Sequence, residues 1–63
     1  MNEEKCIEFI KEKFNGREFE LMPVEERRQL HKECEEFCAQ QGISGIQFDI
    51  LWNQAMFRIK AGI

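Results

Sequence analysis

The sequence predicts an all-α protein, a small bundle of two or three helices, and three observations carry this prediction. Apolar residues recur at helical spacing in three segments, carboxylates lie near the start of the first two, and a glycine follows each segment. The predicted helices span residues 3–14, 23–41 and 45–61. A chain of 63 residues makes one domain, residues 1–63. A core this small gives marginal stability, so homodimerisation is one way to complete it.

The first helix is predicted from Ile7, Ile10 and Phe14, which share one face. Asn15 and Gly16 tolerate the left-handed conformation that ends a helix, so the helix should stop there. Residues 17–22 are expected to form an extended connector, because the proline that follows them disfavours helix at residue 22.

The second helix is predicted to begin at Pro23, which suits a first helical turn. The core face is expected to carry Leu30, Cys34, Phe37, Cys38 and Gln41, and Gly42 should end the helix. On the opposite side, we expect ordinary solvated charges, Lys32 with Glu36 and Arg28 near Glu35.

The third helix shows two start signals: Ser44 and Gln47 have the spacing of a capping box, and Ile43 and Phe48 have that of a hydrophobic staple. Its main apolar stripe consists of Phe48, Leu51, Trp52, Ala55, Met56 and Ile59. Strict alternation within residues 46–52 and 57–61 also permits a β-hairpin around residues 53–54. The cap signals and the helix-forming residues favour the helix.

Three further apolar residues, Ile46, Ile50 and Phe57, lie nearly opposite the main stripe of the third helix. If that helix packed between the other two, all of its apolar residues would be buried. We favour the alternative, in which the surplus surface binds a protein partner or a second copy, with Ile46, Ile50, Trp52 and Phe57 as the contact residues. The predicted function is that of a small acidic interaction module, an adaptor or regulator.

One basic cluster, Arg27, Arg28, His31 and Lys32, supports an alternative function. The segment 23–31, preceded by a short helix and followed by Gly42, resembles the single-stranded nucleic-acid-binding domain named for an Arg and a His separated by three residues. Arg27 and His31 match that pair, and the resemblance implies a helix near an antiparallel sheet. The net charge of -3 argues against nonspecific duplex binding. A solvated helix face, with the stem of Arg27 at the core edge, is the other interpretation.

Metal binding and catalysis have less support in the sequence. Cys6, Cys34, Cys38 and His31 have the chemistry of a zinc shell, but reduced cysteines on a core stripe more often act as small buried apolar residues. One His and no Tyr leave little for acid–base catalysis, so we expect a protein that is not an enzyme and has no cofactor. The acidic N-terminus and the odd number of cysteines predict a cytoplasmic protein, and the short apolar runs predict that it has no membrane segment.

Overall fold

The computed structural model describes residues 2–63 and shows a bundle of three helices. These are α1 (Asn2–Lys13), α2 (Val24–Gln40) and α3 (Ile46–Ala61), with a short 3₁₀ helix at Phe19–Leu21. The all-α prediction is confirmed, and each predicted boundary lies within one residue of the observed one. No strand occurs in the described part of the chain. The hairpin alternative is therefore wrong, as is the antiparallel sheet that the nucleic-acid-binding resemblance implies, because residues 46–61 complete a continuous helix.

Helix α1 lies at the centre of the bundle, since it packs against both α2 and α3 and more extensively against α3. Its inward face, formed by Cys6, Ile7 and Ile10, is almost completely buried. Phe14 continues this face just beyond the helix. All of the apolar residues of α3 would be buried if α3 packed between the other two helices. Because α1 takes that place, one face of α3 has no helix against it.

The connector between α1 and α2 is only partly extended, which corrects the prediction for residues 17–22. Glu18 and Met22 are extended, but the residues between them form the 3₁₀ helix. Phe19 from this turn packs edge-on against Phe14, with ring centroids 5.6 Å apart, and Met22 is buried. Burial of these two side chains favours the turn over an extended path. Pro23 lies one residue outside α2 as its N-cap.

Two glycines shape the junction between α2 and α3. Gly42 has φ +82°, and the Ile43 amide donates to the Cys38 carbonyl at 2.9 Å, which is the hydrogen bond of a Schellman motif. Gly45 is the N-cap of α3, with φ +60° and ψ -131°, and no side chain caps the helix. The capping box predicted at Ser44 is therefore wrong, because the helix starts one residue later through a conformation that glycine adopts readily.

Five ion pairs join charged side chains within residues 2–63. They are Glu8 with Lys11, Lys13 with Glu33, Arg17 with Glu26, Glu4 with Arg58, and Glu20 with Lys60. Lys13 Nζ donates to Glu33 Oε1 at 3.0 Å, and this bond, together with one from Gln29, lowers the pKa of Glu33. Most of these pairs connect different elements of the bundle. None of the helices described has the length and apolar content needed to cross a bilayer.

Candidate functional site

The outer face of α3 carries three large apolar side chains in contact with solvent. Ile46, Ile50 and Phe57 are 78%, 51% and 67% exposed, and we call them the α3 stripe. They lie within about 40° of one another around the helix and extend over about 16 Å of its length. The structure thus places these three predicted contact residues together on one surface.

Trp52, the fourth predicted contact residue, lies on a different side of α3. It is half-buried and packs edge-on against Phe14, Phe19 and His31, with ring centroids 5.7, 6.1 and 4.6 Å away. Trp52 is about 140° from Phe57 around the helix. It therefore belongs to the junction of α2, α3 and the connector, and the α3 stripe does not include it.

The basic cluster occupies the N-terminal half of α2. Arg28 and Lys32 make no ion pair within residues 2–63. Arg27 is half-buried, whereas Arg28 and Lys32 are exposed. The guanidinium carbon of Arg27 lies 5.4 Å from the centroid of the Phe19 ring, and its Nε is buried without a hydrogen-bond partner. Arg27 therefore packs against the Phe19 ring, whereas Arg28 and Lys32 are exposed to solvent without an ion-pair partner in the described part of the chain.

A shallow, open groove with a volume of about 380 Å³ lies beside this cluster, and we call it the Arg27 cavity. Its lining combines three basic or titratable side chains with three apolar ones: Arg27, Arg28, His31, Phe19, Val24 and Trp52. Lys32, the remaining member of the predicted basic site, does not line it. Sequence reasoning did not place Phe19 or Trp52 here. The sequence showed no aromatic residues clearly beside the basic cluster, because Phe19 and Trp52 come from segments far apart in the chain and meet through tertiary packing.

The three cysteines form part of the core. Cys6, Cys34 and Cys38 have no exposed surface and are free thiols. Burial raises the pKa of Cys34 to about 11, and burial together with a hydrogen bond to Cys6 raises that of Cys38 to about 12. Cys34 and Cys38 therefore stay protonated at neutral pH, and a protonated thiol is a poor nucleophile and metal ligand.

His31 is held between aromatic rings, at 5.3 Å from Phe48 and 4.6 Å from Trp52. Over residues 2–63, no three His, Cys, Asp or Glu side chains are grouped in a way that could hold a metal ion. The geometry therefore gives no support to zinc binding by His31 with the cysteines.

Phe9, which lies off the main face of α1, stacks on Phe37 of α2. The ring centroids are 4.1 Å apart with parallel planes, and Lys13 lies over the Phe9 ring at 5.3 Å. This pair closes the edge of the core between α1 and α2, so the α1 surface carries less unpartnered apolar area than α3 does.

Two surfaces of the described chain are thus candidates for function. The α3 stripe is an exposed apolar face of a helix, and the Arg27 cavity is an open groove lined by basic and apolar side chains. The chain matches no known protein family, no curated protein sequence and no solved structure.

Proposed function

We propose that this protein is a small helical interaction module, an adaptor or regulator, that docks its α3 stripe on the same stripe of a second copy. The observation that carries the proposal is the exposure of Ile46, Ile50 and Phe57 on one face of α3. Contiguous exposed apolar surface typically marks an interaction site. Helix α1 occupies the centre of the bundle, so nothing within the described chain covers this face.

The spacing of the α3 stripe suits packing against another helix. Ile46, Ile50, Asn53 and Phe57 follow one another at intervals of four, three and four residues, which is the seam pattern of helices that pack knobs into holes. Asn53 is exposed and provides a polar position within the seam, a feature that can fix register. A parallel arrangement pairs Asn53 of one copy with Asn53 of the other.

The charge distribution favours a second copy as the occupant. Only one of the twelve acidic residues, Asp49, lies in α3, although the whole chain carries a net charge of -3. Glutamines at positions 47 and 54 also lie on the exposed side of this helix. Two copies can therefore approach through a helix that carries little acidic charge, with Glu3 and Glu4 of α1 at the border of the stripe beside Ile50.

The size of the surface sets the expected strength of the interaction. A stable dimer typically buries about 800 Å² on each partner, and three side chains supply only part of that area. We therefore expect a weak, concentration-dependent dimer with a dissociation constant on the order of micromolar or above. Such reversible association suits a regulator, because its occupancy follows the concentration of the protein.

Sedimentation velocity over a range of about 5 to 500 µM, chosen to bracket this affinity, tests the proposal. The wild-type chain should move from monomer to dimer with rising concentration, and Phe57→Asp should remain monomeric. Leu21→Asp is the matched control, because Leu21 is also 78% exposed but lies in the 3₁₀ helix. A wild-type chain that stays monomeric throughout, or equal dissociation by both variants, would refute docking through the α3 stripe.

A different protein partner is the other occupant, and affinity capture from cell extract tests it. A partner retained by the wild-type chain and by Leu21→Asp, but lost with Phe57→Asp, would replace the second copy as the occupant.

We further propose that the module acts in the cytoplasm and without catalysis. Three cysteines, an odd number, support a reducing compartment. One His and no Tyr supply few groups for acid–base chemistry.

A further inference from the structure

The unpaired cations of this acidic chain are concentrated at the Arg27 cavity. Five of the nine Lys and Arg residues make ion pairs within residues 2–63. Of the other four, Arg27 and Arg28 line the cavity, Lys32 lies on the same helix, and Lys5 lies on α1. Acidic side chains outnumber basic ones in the chain, yet none lines this cavity. The local charge is therefore opposite to the net charge of the molecule.

Arg27 is held in place by apolar contacts rather than by a carboxylate. Its guanidinium carbon lies 5.4 Å from the Phe19 ring centroid, which fixes the group through a cation–π contact. Its Nε is buried and has neither a protein acceptor nor access to water. The guanidinium makes no ion pair within residues 2–63. An anion entering the cavity would therefore meet its terminal nitrogens, while Nε stays buried.

The walls of the Arg27 cavity are aromatic. Phe19 and Trp52 line it, and His31 lies edge-on to Trp52 at 4.6 Å, with the ring planes 74° apart. The groove is open and has a volume of about 380 Å³, so a small ligand would lie against its walls and remain partly in contact with solvent. A ligand that fits these walls has a flat apolar part as well as a charge.

We propose that the Arg27 cavity binds a phosphate monoester carried on an aromatic ring. His31 is four residues after Arg27 and three after Arg28, so all three side chains share one side of α2. Two guanidinium groups and an imidazole offer more donors than one carboxylate accepts, whereas a phosphate dianion presents three oxygens. The ring packs against Phe19 and Trp52.

The observations favour this small ligand over a nucleic-acid strand. A strand needs a basic path for successive phosphates and several stacking platforms. Beyond the cavity, α2 adds only Lys32 as a free cation, and the rest of that helix is rich in glutamate. One ring and one phosphate match what this cavity presents.

Phenyl phosphate is the direct probe, and Trp52 is a built-in reporter because it is the single Trp in a chain without Tyr. Titration should change the Trp52 fluorescence saturably. Inorganic phosphate, which lacks the ring, and benzoate, which carries a carboxylate, should bind at least about tenfold more weakly. Comparing these two ligands with phenyl phosphate separates the contribution of the ring to binding from that of the phosphate.

Arg28→Gln is the first variant to test, because Arg28 is exposed and its loss should leave the fold intact. It should weaken phenyl phosphate binding by about tenfold or more, the loss expected for a charge-assisted hydrogen bond. Arg27→Gln should do the same, with circular dichroism to check that the bundle is folded. Lys32→Gln is the matched control, since it removes the same charge from the same helix outside the cavity, and it should change binding by less than about twofold.

The proposal is wrong if phenyl phosphate does not bind, if inorganic phosphate binds as tightly, or if Lys32→Gln weakens binding as much as Arg28→Gln does. A short single-stranded oligonucleotide that binds while phenyl phosphate does not would overturn it in favour of a nucleic-acid interface. Free phosphotyrosine and a phosphotyrosine peptide then distinguish a small-molecule source from a protein side chain, because only the latter gains affinity from flanking residues. Phe57→Asp should leave phenyl phosphate binding unchanged, so this test is independent of the proposed docking through α3.

Discussion

Phe14 is the residue whose truncation should damage this fold most, because it is 1% exposed at the meeting point of several aromatic rings. Phe19 and Trp52 approach it edge-on, with ring centroids 5.6 and 5.7 Å away. Truncation of a buried Phe to Ala typically costs about 3 to 5 kcal/mol, through lost burial and the cavity left behind. Phe14→Ala should therefore destabilise the connector and α3 together.

The magnitude matters because the chain is short. At about 0.05 to 0.15 kcal/mol per residue, 63 residues give a free energy of unfolding of about 3 to 9 kcal/mol. Phe14→Ala should thus remove most of the stability and leave much of the protein unfolded. Phe14→Leu keeps most of the apolar volume and should cost about 1 to 2 kcal/mol. With a urea dependence near 1 kcal/mol per molar, its midpoint should fall by about 1 to 2 M.

Urea unfolding followed by far-ultraviolet circular dichroism and by Trp52 fluorescence measures both variants. Phe57→Ala is the matched control, because Phe57 is 67% exposed and its truncation should change the stability of the monomer by less than about 0.5 kcal/mol. All samples are compared at a concentration where the chain is monomeric. If Phe14→Leu is no less stable than Phe57→Ala, the assignment of Phe14 to the core is refuted.

Two further predictions follow from the cysteines and the glycines. Burial raises the pKa of Cys34 from 9.0 to about 11. Between these two pH values the thiol ionises in the unfolded chain before it does so in the folded one. The contribution of the buried thiol to folding stability is therefore complete below pH 9 and is lost as the pH rises to about 11. Urea unfolding between pH 8 and 11 should show a smaller decline for Cys34→Ala than for the wild type; equal declines would contradict the burial effect. Gly42→Ala forces a side chain into φ +82° and should cost about 1 kcal/mol, lowering the melting temperature by about 4 to 8 °C. Exposed Gln54→Ala on α3 is its control, and an unchanged melting temperature in Gly42→Ala would exclude the strain.

The helices could be predicted because their signals are local. Apolar spacing within each segment and the glycines after it fixed every boundary to within one residue. The cap of α3 was assigned to the wrong residue, because Ser44 has the chemistry of a cap but Gly45 adopts the backbone conformation that starts the helix. The 3₁₀ helix at Phe19–Leu21 was missed for a related reason, since it depends on packing of Phe19 against Phe14 and Trp52 rather than on local propensity.

The candidate sites were predictable in part. The exposed positions of α3 followed from helical geometry, but whether they stayed exposed depended on which helix occupies the centre. That choice is a property of the whole bundle, and α1 takes the place. The Arg27 cavity was harder still, because Phe19 and Trp52 are 33 positions apart in the sequence and meet only through tertiary packing. A basic cluster alone gave no indication of its aromatic walls.

The two proposed surfaces share α3, yet they can be separated by experiment. Phe57 and Trp52 are about 140° apart around the helix, so a partner seated on the α3 stripe leaves the Trp52 side open. Affinity for phenyl phosphate should therefore not vary with protein concentration across the range in which the dimer forms. Dimerisation is coupled to phenyl phosphate binding only if the monomer and the dimer differ in their affinity for phenyl phosphate. A phenyl phosphate affinity that changes with protein concentration in the wild-type chain, but not in Phe57→Asp, would show that docking through α3 controls access to the Arg27 cavity.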